Sequence, residues 1–407
     1  MSLTPLSRIF IAVLIVFPVL FSCSHPIKSY QYGPVSDEGY YYQYASLVEH
    51  KGMPAFSRLI FWYSDHAEAR EHPAPVRVGY ILLIALLFKI FGPSFAVQGL
   101  ISTASLILFL GLCFYYVRKY FDLDTALLTL LFLASSPLIL GLSRRALVDS
   151  SVNFWWAACV WLLADVLFKP KSWSYIVFLV ALIMAILFKE TSIILIPFFM
   201  LAASGLENKA EGVARARIWG ILIWPVVILL PLYVWIYGGW GNVTRAVVAI
   251  FNTHLSSTAS LYAIYFSSGP WFRYLLDFLL ITPIVLLLFI GYTGYLCVQR
   301  TALDDLRMYF LSYFIYVYGV LSCLSHSKVV RFVVNLEMVM ALFAVLMLRE
   351  IFKSANDKGR SWLLYAAVGV FLYNWASFLN LFYGPVLLDP ISRHLLVFRH
   401  FIPGWEP

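Results

Sequence analysis

Long runs of apolar residues, broken only by short polar segments, dominate this 407-residue chain. A helix needs about 20 mostly apolar residues to cross the roughly 30 Å hydrocarbon layer of a membrane. Eleven such segments can be read along the sequence: 9–24, 94–117, 125–141, 150–168, 173–187, 191–206, 218–237, 278–298, 308–324, 332–348 and 361–383. Their apolar character is continuous rather than alternating, which favours helices over a membrane β-barrel. The sequence therefore predicts an all-α polytopic membrane protein.

The composition agrees with this prediction and excludes some functions. Hydrophobic residues make up 62% of the chain and charged residues only 12%, whereas a soluble domain is about half apolar and about a quarter charged. The formal charge is +8, but lysines and arginines lie singly or in pairs between apolar segments, so we expect no nucleic-acid partner. The five cysteines are widely spaced, and they predict neither a disulfide framework nor a zinc site.

Short basic loops predict the orientation of the chain. If the N-terminus is cytoplasmic and segment 9–24 is kept as an uncleaved first span, every loop on the inner side is short and basic. This requires that segment 78–88, about half the length of a span, lies in the interface; a short span there would move every later loop to the other side. We expect eleven spans in a cytoplasmic (inner) membrane, with the C-terminus outside.

The segments between the spans are too short for a separate soluble domain of normal size. We therefore expect a single membrane-embedded domain over 1–407. It would carry a long first extracytoplasmic loop with interfacial helices (25–77), an interfacial helix (78–92), a second outer loop (238–273) and an outer tail (384–407).

Five groups of ionisable residues that are embedded in the spans or abut them fall on the predicted outer side. They are Asp37, Glu38, Glu71, His72, Arg144, Arg145, Asp149, Lys189, Glu190, Lys328 and Arg331. Ionisable groups at membrane depth are energetically costly and usually mark a functional site. Topogenic charges and helix caps explain any one pair equally well, but five separate groups on one side predict a site there.

Six short motifs follow one another in an order that resembles the GT-C superfamily of membrane glycosyltransferases. They read SDEGYYYQYA (36–45), EHPAP (71–75), FGPS (91–94), SRRALVD (143–149), FKET (188–191) and KVVRF (328–332). Within the superfamily they resemble the protein O-mannosyltransferases and the lipid A aminoarabinose transferases, especially their short bacterial relatives. The resemblance covers nearly the whole chain. Relatives commonly have His-Pro-Pro where this chain has His72-Pro73-Ala74, and Arg-Tyr where it has Arg331-Phe332.

The resemblance implies an inverting glycosyltransferase that uses a polyprenyl-phosphate-linked sugar donor. The enzyme would transfer one hexosyl or pentosyl group to a glycolipid, polysaccharide or protein acceptor on the outer face of the membrane. No glycine-rich turn for a nucleotide-sugar is present in the sequence, which agrees with a lipid-linked donor. The alternatives are a flippase or transporter of lipid-linked sugars, an O-antigen ligase or polymerase with a pyrophosphate-linked donor, and a non-catalytic scaffold.

Residue roles follow from the same resemblance. Asp37 would be the catalytic base, and Glu38 would orient Asp37 or the acceptor, unless it serves only as an acidic residue in the first turn of a helix. The donor phosphate needs cations at the headgroup level. These would be His72, Arg144, Arg145, Lys189, Lys328 and Arg331.

Glu71, Asp149 and Glu190 would support this site, although pairing of Asp149 with an arginine is an equal alternative. No cofactor is firmly implied. A divalent metal held by Glu71 and His72, completed by Asp37, Glu38 or His326, is the alternative that the residue types allow. The tyrosines of 40–44 fit interfacial packing or stacking against a sugar. Glu337, inside the tenth span, has no role in either scheme.

Overall fold

The structure is a computed structural model, and it describes residues 3–24, 36–66, 69, 72–205, 212–255, 268–299, 303–324, 328–353 and 356–383. Only the backbone is described for 212–216, 252–255 and 356–358. Three sequence-based predictions fall outside these residues: the roles of Glu71 and His326, and the outer tail 384–407.

Helices make up all the regular structure in the described part of the chain. The α-helices are α1 (Pro5–Ser24), α2 (Asp37–Lys51), α3 (Pro54–Asp65), α4 (Val78–Phe91), α5 (Phe95–Tyr120), α6 (Leu123–Ser135), α7 (Pro137–Ser143), α8 (Asp149–Phe168), α9 (Ser172–Phe188), α10 (Leu195–Gly205), α11 (Gly212–Tyr237), α12 (Trp240–Leu255), α13 (Arg273–Ile281), α14 (Pro283–Val298), α15 (Asp305–Ser322), α16 (Glu337–Phe352) and α17 (Asn356–Tyr383). Two 3-10 helices, Glu190–Ile194 and Val330–Leu336, precede α10 and α16.

Six of the described helical stretches are long and apolar enough to cross a membrane. They are Pro5–Ser24, Phe95–Tyr120, Asp149–Phe168, Arg217–Tyr237, Val330–Phe352 and Gly359–Tyr383. The bent pair α6 and α7 makes a seventh if it is one span. The protein is therefore an all-α, multi-pass membrane protein, as the sequence predicts. The count of eleven spans stays a prediction.

Two of the segments predicted as continuous spans are interrupted at a proline. The segment 125–141 forms α6 and α7, which meet at an angle of 63°. The break has a local cause: Pro137 has no N–H to continue the helix, and Ser136 caps α7 by accepting a hydrogen bond from the N–H of Ile139 at 3.3 Å. In the same way, Pro283 begins α14 directly after Thr282 and separates it from α13.

The contacts divide the chain into two compact units, and α5 contributes to both. The first unit comprises Met1–Lys28, Leu106–Arg144 and Tyr262–Pro407. Within it, α16 packs against α6 and α14, while α17 packs against α6 and α7. The contact between α7 and α17 is so close that a Cβ on Gly141 would overlap the ring of Phe382, so the absence of a side chain permits this packing.

The second unit comprises Ser29–Ser105 and Arg145–Leu261. In this unit α2 packs against α3 and α4, α4 packs against α9, and α9 packs against α8 and α11. Gly79 allows the close approach of α4 and α9, because a Cβ at this position would lie 3.0 Å from the Cβ of Leu187. The helix α4 covers the segment predicted as an interfacial helix, and that placement relative to a membrane stays a prediction.

Candidate active site

The acidic pair occupies the first turn of α2. Ser36 is the N-cap, and its hydroxyl accepts a hydrogen bond from the N–H of Gly39 at 3.3 Å. Asp37 and Glu38 follow at the positive end of the helix dipole, which favours ionised carboxylates. Neighbouring residues on a helix point about 100° apart, and their environments differ here: Asp37 is half-buried, whereas Glu38 is fully buried.

Glu38 forms an ion pair with Arg145 inside the second unit. Its Oε1 accepts a hydrogen bond from Nε of Arg145 at 2.6 Å, and Nη2 of the same guanidinium lies 2.6 Å from that oxygen as an ion pair. The side chain of Glu38 is 0% exposed and that of Arg145 is 27% exposed, so the guanidinium is the half of the pair that reaches the surface. Gln98 joins the two segments, because its Nε2 donates to the carbonyls of Glu38 and Ala146 at 3.3 and 2.6 Å.

A second ion pair joins the beginning of α8 to the end of α9. Lys189 donates a hydrogen bond from Nζ to Oδ1 of Asp149 at 2.7 Å, and both side chains are buried. The sequence left open whether Asp149 pairs with an arginine or contacts substrate, and the structure gives it a lysine partner. Lys189 directly follows the last residue of α9, so the end of that helix determines the position of the lysine.

A third ion pair was not predicted. Arg77 donates from Nε and Nη2 to the two carboxylate oxygens of Glu190, at 3.0 and 2.9 Å, and a further N–H donates to the hydroxyl of Tyr41. Burial by itself would raise the pKa of Glu190, but the charge and hydrogen bonds of Arg77 outweigh it and hold the pKa at about 2. In the sequence, Arg77 is a cation between the 71–75 motif and an apolar helix. Such a position is equally typical of a charge that only sets membrane topology.

Tyr41 shows that these groups share one environment. Burial raises the pKa of its hydroxyl, Arg77 lowers it, and the charges of Asp37 and Asp149 raise it further. The phenol is almost completely buried and contacts the ring of Tyr80 edge to face, with centroids 5.0 Å apart. The carboxylates at the beginnings of α2 and α8 therefore act electrostatically on the same buried hydroxyl as Arg77.

His72 lies flat against the acidic helix. Its imidazole stacks on the ring of Tyr40, with centroids 3.9 Å apart and an angle of 20° between the planes. Tyr44, one turn further along α2, donates a hydrogen bond to the carbonyl of Pro73 at 3.1 Å. Tyr40 and Tyr44 thus pack on His72 and Pro73, and stacking of these tyrosines against a sugar stays a prediction.

Within the described residues, no group of three or more histidine, cysteine, aspartate or glutamate side chains could hold a metal ion. Because Glu71 and His326 lie outside the described residues, the metal alternative stays a prediction.

The remaining predicted residues belong to the first unit. Arg144 is half-buried at the C-terminal end of α7. Lys328 is buried and donates a hydrogen bond from Nζ to the carbonyl of Gly269 at 2.6 Å. The guanidinium of Arg331 lies over the ring of Phe332, 5.6 Å from its centroid. Glu337, which had no assigned role, accepts a hydrogen bond from the hydroxyl of Ser136 at the break between α6 and α7.

The second unit therefore combines Asp37 with three buried or half-buried ion pairs. Glu38, Asp149 and Glu190 each hold a cation, so their carboxylates fix the positions of Arg145, Lys189 and Arg77. Asp37 is the more accessible member of the acidic pair. Chemically, such an arrangement can accept a proton at Asp37 and present ordered N–H donors to an anion.

Comparison with known proteins agrees with the resemblance in the motifs. Residues 72–237 match a family model described as dolichyl-phosphate-mannose-protein mannosyltransferase. No curated protein matches the chain at the level of sequence.

Among solved structures, ArnT from Cupriavidus metallidurans bound to undecaprenyl phosphate superposes with a TM-score of 0.60 at 17% identity, over 96% of this chain and 72% of that chain. ArnT in the apo state gives 0.57 at 15% identity, over 95% and 74% of the two chains. The apo oligosaccharyltransferase of Archaeoglobus fulgidus gives 0.63 at 11% identity, over 97% of this chain but only 59% of its own length. The chain thus has the fold of GT-C membrane glycosyltransferases, and the resemblance predicted from the sequence is confirmed.

Proposed function

We propose that this protein is an inverting glycosyltransferase that transfers one sugar from a polyprenyl-phosphate donor to an acceptor on the outer face of the cytoplasmic membrane. The observation that carries the proposal is the first turn of α2, where half-buried Asp37 adjoins a buried Glu38 that holds Arg145. The donor class is supported by the family match and by the undecaprenyl phosphate bound to ArnT, a protein of the same fold.

In the proposed reaction, Asp37 takes the proton of an acceptor hydroxyl or amide as its oxygen or nitrogen attacks the anomeric carbon of the sugar. The bond between that carbon and the phosphate oxygen breaks, and its electron pair leaves with the lipid phosphate. A single displacement of this kind inverts the anomeric configuration. It needs a base on one side of the sugar and positive charge near the departing phosphate on the other.

The positive charge would come first from Arg145. Glu38 binds its Nε and Nη2 from one side, so the guanidinium is fixed in place before the donor arrives. This pre-organisation lowers the cost of ordering the cation in the transition state. Lys189 is held in the same way by Asp149. His72 and the cations of the first unit, Arg144, Lys328 and Arg331, remain proposed phosphate ligands on the motif resemblance.

The acceptor is proposed to be a glycolipid, a polysaccharide or a protein, and the protein would be integral to the cytoplasmic membrane with this site outside. The support for that side is the charge pattern of the sequence, in which the short loops opposite to the motifs are basic.

The test of the proposal is a single-turnover transfer assay in nanodiscs, with a radiolabelled polyprenyl-phosphate sugar and extracted envelope acceptors. Asp37→Asn keeps the shape of the side chain and removes its basicity, so the rate should fall by about 10²-fold or more. Asp65→Asn is the matched control, because Asp65 is exposed at the end of α3, and its rate should equal that of the wild type.

Two results would contradict the proposal. A wild-type rate in Asp37→Asn would remove Asp37 from the role of base. Movement of the labelled sugar to the opposite leaflet while it is still attached to its lipid, with no new glycosidic bond to any acceptor, would identify a flippase instead.

A further inference from the structure

Aromatic side chains from α2, α3 and the segment before α4 form a row in the second unit. Next to the stacked pair of His72 and Tyr40, the ring of Trp62 lies 6.2 Å from that of Tyr40, with 25° between the planes. The imidazole of His66 lies 6.1 Å from Trp62, with 28° between the planes. We call Tyr40, Trp62 and His66 the aromatic row. Because α2 packs against α3, residues distant in sequence present nearly parallel rings at one place.

Trp62 lies on the polar face of α3. Arg58, four positions before it, and His66, four positions after it, are both exposed, and residues at this spacing share one face of a helix. Leu59 and Ile60, by contrast, are buried. A tryptophan between two exposed polar side chains borders water rather than hydrocarbon. The ligand that covers the aromatic row is therefore expected to come from the aqueous side.

The structure separates two kinds of aromatic side chain here. Tyr41 and Tyr44 are buried, and their hydroxyls are hydrogen-bonded inside the second unit. Tyr40 and Trp62 are half-buried, and among the residues that the structure describes neither the hydroxyl of Tyr40 nor Nε1 of Trp62 has a hydrogen-bond partner. The first kind packs the interior, whereas the second keeps its polar groups accessible.

These accessible groups suit a carbohydrate. A sugar ring presents C–H groups on its faces and hydroxyls around its edge, and an aromatic side chain with an apolar body and a polar tip can contact both. Tyr40 and Trp62 supply an O–H and an N–H donor. Nδ1 of His66 donates to the carbonyl of Trp62 at 2.9 Å, which leaves Nε2 of the neutral ring as an acceptor. Sugar hydroxyls can use all three groups.

The aromatic row begins one turn from the proposed base. Tyr40 follows Asp37 by three positions on α2, so the two side chains are neighbours on one helix face. If Asp37 takes the proton of an acceptor hydroxyl, the acceptor lies beside Tyr40. From there the row continues onto the polar face of α3, away from the ion pair of Glu38 and Arg145 that would face the departing phosphate. This direction fits the acceptor rather than the donor.

We propose that Tyr40, Trp62 and His66 bind the carbohydrate part of the acceptor. The inference rests on the proposed function and narrows it, because it makes the acceptor a glycolipid or a polysaccharide rather than a protein. Trp62 and His66 were not among the residues singled out in the sequence. The rings contact one another without a ligand, so little further ordering is needed when a sugar binds.

Binding is tested without a donor. Saturation-transfer difference NMR is recorded on tetrasaccharides of glucose, mannose and N-acetylglucosamine, with the full-length protein in nanodiscs and empty nanodiscs as background. Irradiation of aromatic protons should transfer saturation to ring C–H protons of at least one tetrasaccharide. Trp62→Leu should weaken its binding by about 10- to 100-fold, whereas Trp62→Phe should retain most of it because the aromatic face remains.

Phe61→Leu is the matched control. Phe61 precedes Trp62 on α3, but the guanidinium of Arg245 lies over its ring at 4.6 Å, so binding should not change. His66→Ala alters only the exposed end of α3, and it should weaken binding by about 3- to 10-fold even if Trp62→Leu fails to fold. No saturation transfer to any of the three tetrasaccharides, or wild-type binding in His66→Ala and in folded Trp62→Leu, would overturn the proposal.

The transfer assay distinguishes acceptor from donor. Trp62→Leu should raise the KM for extracted envelope acceptors by about 10-fold or more and leave the KM for the polyprenyl-phosphate sugar unchanged. A higher KM for the donor alone would assign the aromatic row to the donor sugar. Transfer to a peptide that depends on Trp62 would assign it to a protein acceptor. Either result would overturn the proposal.

Two further readings complete the test. A labelled product that partitions into chloroform–methanol identifies a glycolipid acceptor, and one that stays with the aqueous polymer identifies a polysaccharide; both support the proposal. Tetrasaccharide binding that requires Trp62, without transfer to any acceptor, would support this site and contradict the proposed function. Transfer with a wild-type acceptor KM in Trp62→Leu would do the reverse.

Discussion

Arg77 connects three segments of the second unit through one guanidinium. It binds both oxygens of Glu190 and the hydroxyl of Tyr41, so the segment before α4, the turn after α9 and the helix α2 meet at this side chain. Bidentate pairing of this kind is specific to arginine, whose N–H groups match the spacing of carboxylate oxygens. Arg77 and Glu190 thus join these three segments, and we expect them to position the proposed site without reacting themselves.

Replacing Glu190 by Gln should therefore destabilise the protein, because Arg77 would remain buried without a counter-charge. We expect a loss of about 3–5 kcal/mol in the free energy of unfolding, measured by denaturant titration in detergent. Glu350→Gln is the matched control, since the pair of Glu350 with Lys353 is exposed and its loss should cost about 1 kcal/mol or less. Equal effects of the two substitutions would show that the Arg77 pair is not stabilising.

The same ion pair sets a pH dependence with a definite sign. The pKa of Glu190 is held at about 2, below its ordinary value of 4.5, so the folded state favours the ionised carboxylate. The resulting stabilisation is complete above about pH 4.5 and is lost progressively as the pH falls toward 2. Wild-type stability should fall over this window more steeply than that of Glu190→Gln, and parallel curves would contradict the assignment.

The sequence identified most of the residues in these pairs but not their partners. Glu38, Arg145, Asp149, Lys189 and Glu190 stand out because charges are rare next to apolar runs. Their pairing depends on which helices pack together, and partners are separated by 107, 40 and 113 positions. No local pattern carries that information, and Arg77 was missed because a lone cation before an apolar helix is equally typical of a topogenic charge.

Helix packing in this protein relies on a few positions without a side chain. Gly79 is the clearest case, because α4 lies directly on the C-terminal turns of α9, and a Cβ would meet Leu187 at 3.0 Å and the ring of Phe188 at 3.1 Å. These turns lead into Lys189 and Glu190, and Arg77 lies two residues before Gly79. The distance between α4 and α9 therefore controls the geometry of the Arg77 pair.

Gly79→Ala should push α4 away from α9 and cost about 1–3 kcal/mol, the usual price of overpacking. Gly111→Ala is the matched control in the exposed middle of α5, where no neighbouring atom lies within 4 Å. There the substitution should stabilise the helix by about 0.5–1 kcal/mol. Both effects can be measured by thermal unfolding in one detergent, and opposite signs are expected; a neutral or stabilising Gly79→Ala would contradict the close contact.

At the element scale, the apolar runs predicted where helices form. They did not predict where a helix is broken within one of these runs. The prolines at positions 137 and 283 were visible in the sequence, but proline is tolerated in many membrane helices where neighbours satisfy the backbone. Whether such a residue kinks a helix or ends it depends on the surroundings. At Pro137 the serine before it supplies a cap and a hydroxyl for Glu337, and the chain turns through 63°.

At the scale of the whole molecule, composition alone was sufficient for the class of protein. A chain with 12% charged residues and 62% hydrophobic residues cannot cover itself with a soluble surface. The GT-C fold was predicted from six short motifs in the right order, and each motif alone would have been weak. The number of spans depends instead on short and broken helices such as α9, α10 and α14, whose membrane crossing is not fixed by length.

The orientation can be tested with single cysteines in a cysteine-free background. Substitutions at Lys119, in the last turn of α5, and at Lys209 should be protected from an impermeant thiol reagent in intact cells, because short basic segments stay inside. A cysteine in place of Asp65, on the predicted first outer loop, should react. Labelling at Lys119 and Lys209 with protection at Asp65 would reverse the predicted topology and place the acidic pair on the cytoplasmic side.

The three ion pairs of the second unit also limit how the sequence of such a protein can drift. Each pair joins residues that lie far apart along the chain, and a substitution at one partner strands the other away from water. A related protein that keeps its function must then replace both partners of a pair nearly at the same time. Positions 38 and 145, 77 and 190, and 149 and 189 should accordingly vary as couples among related chains, while the exposed charges around them vary singly.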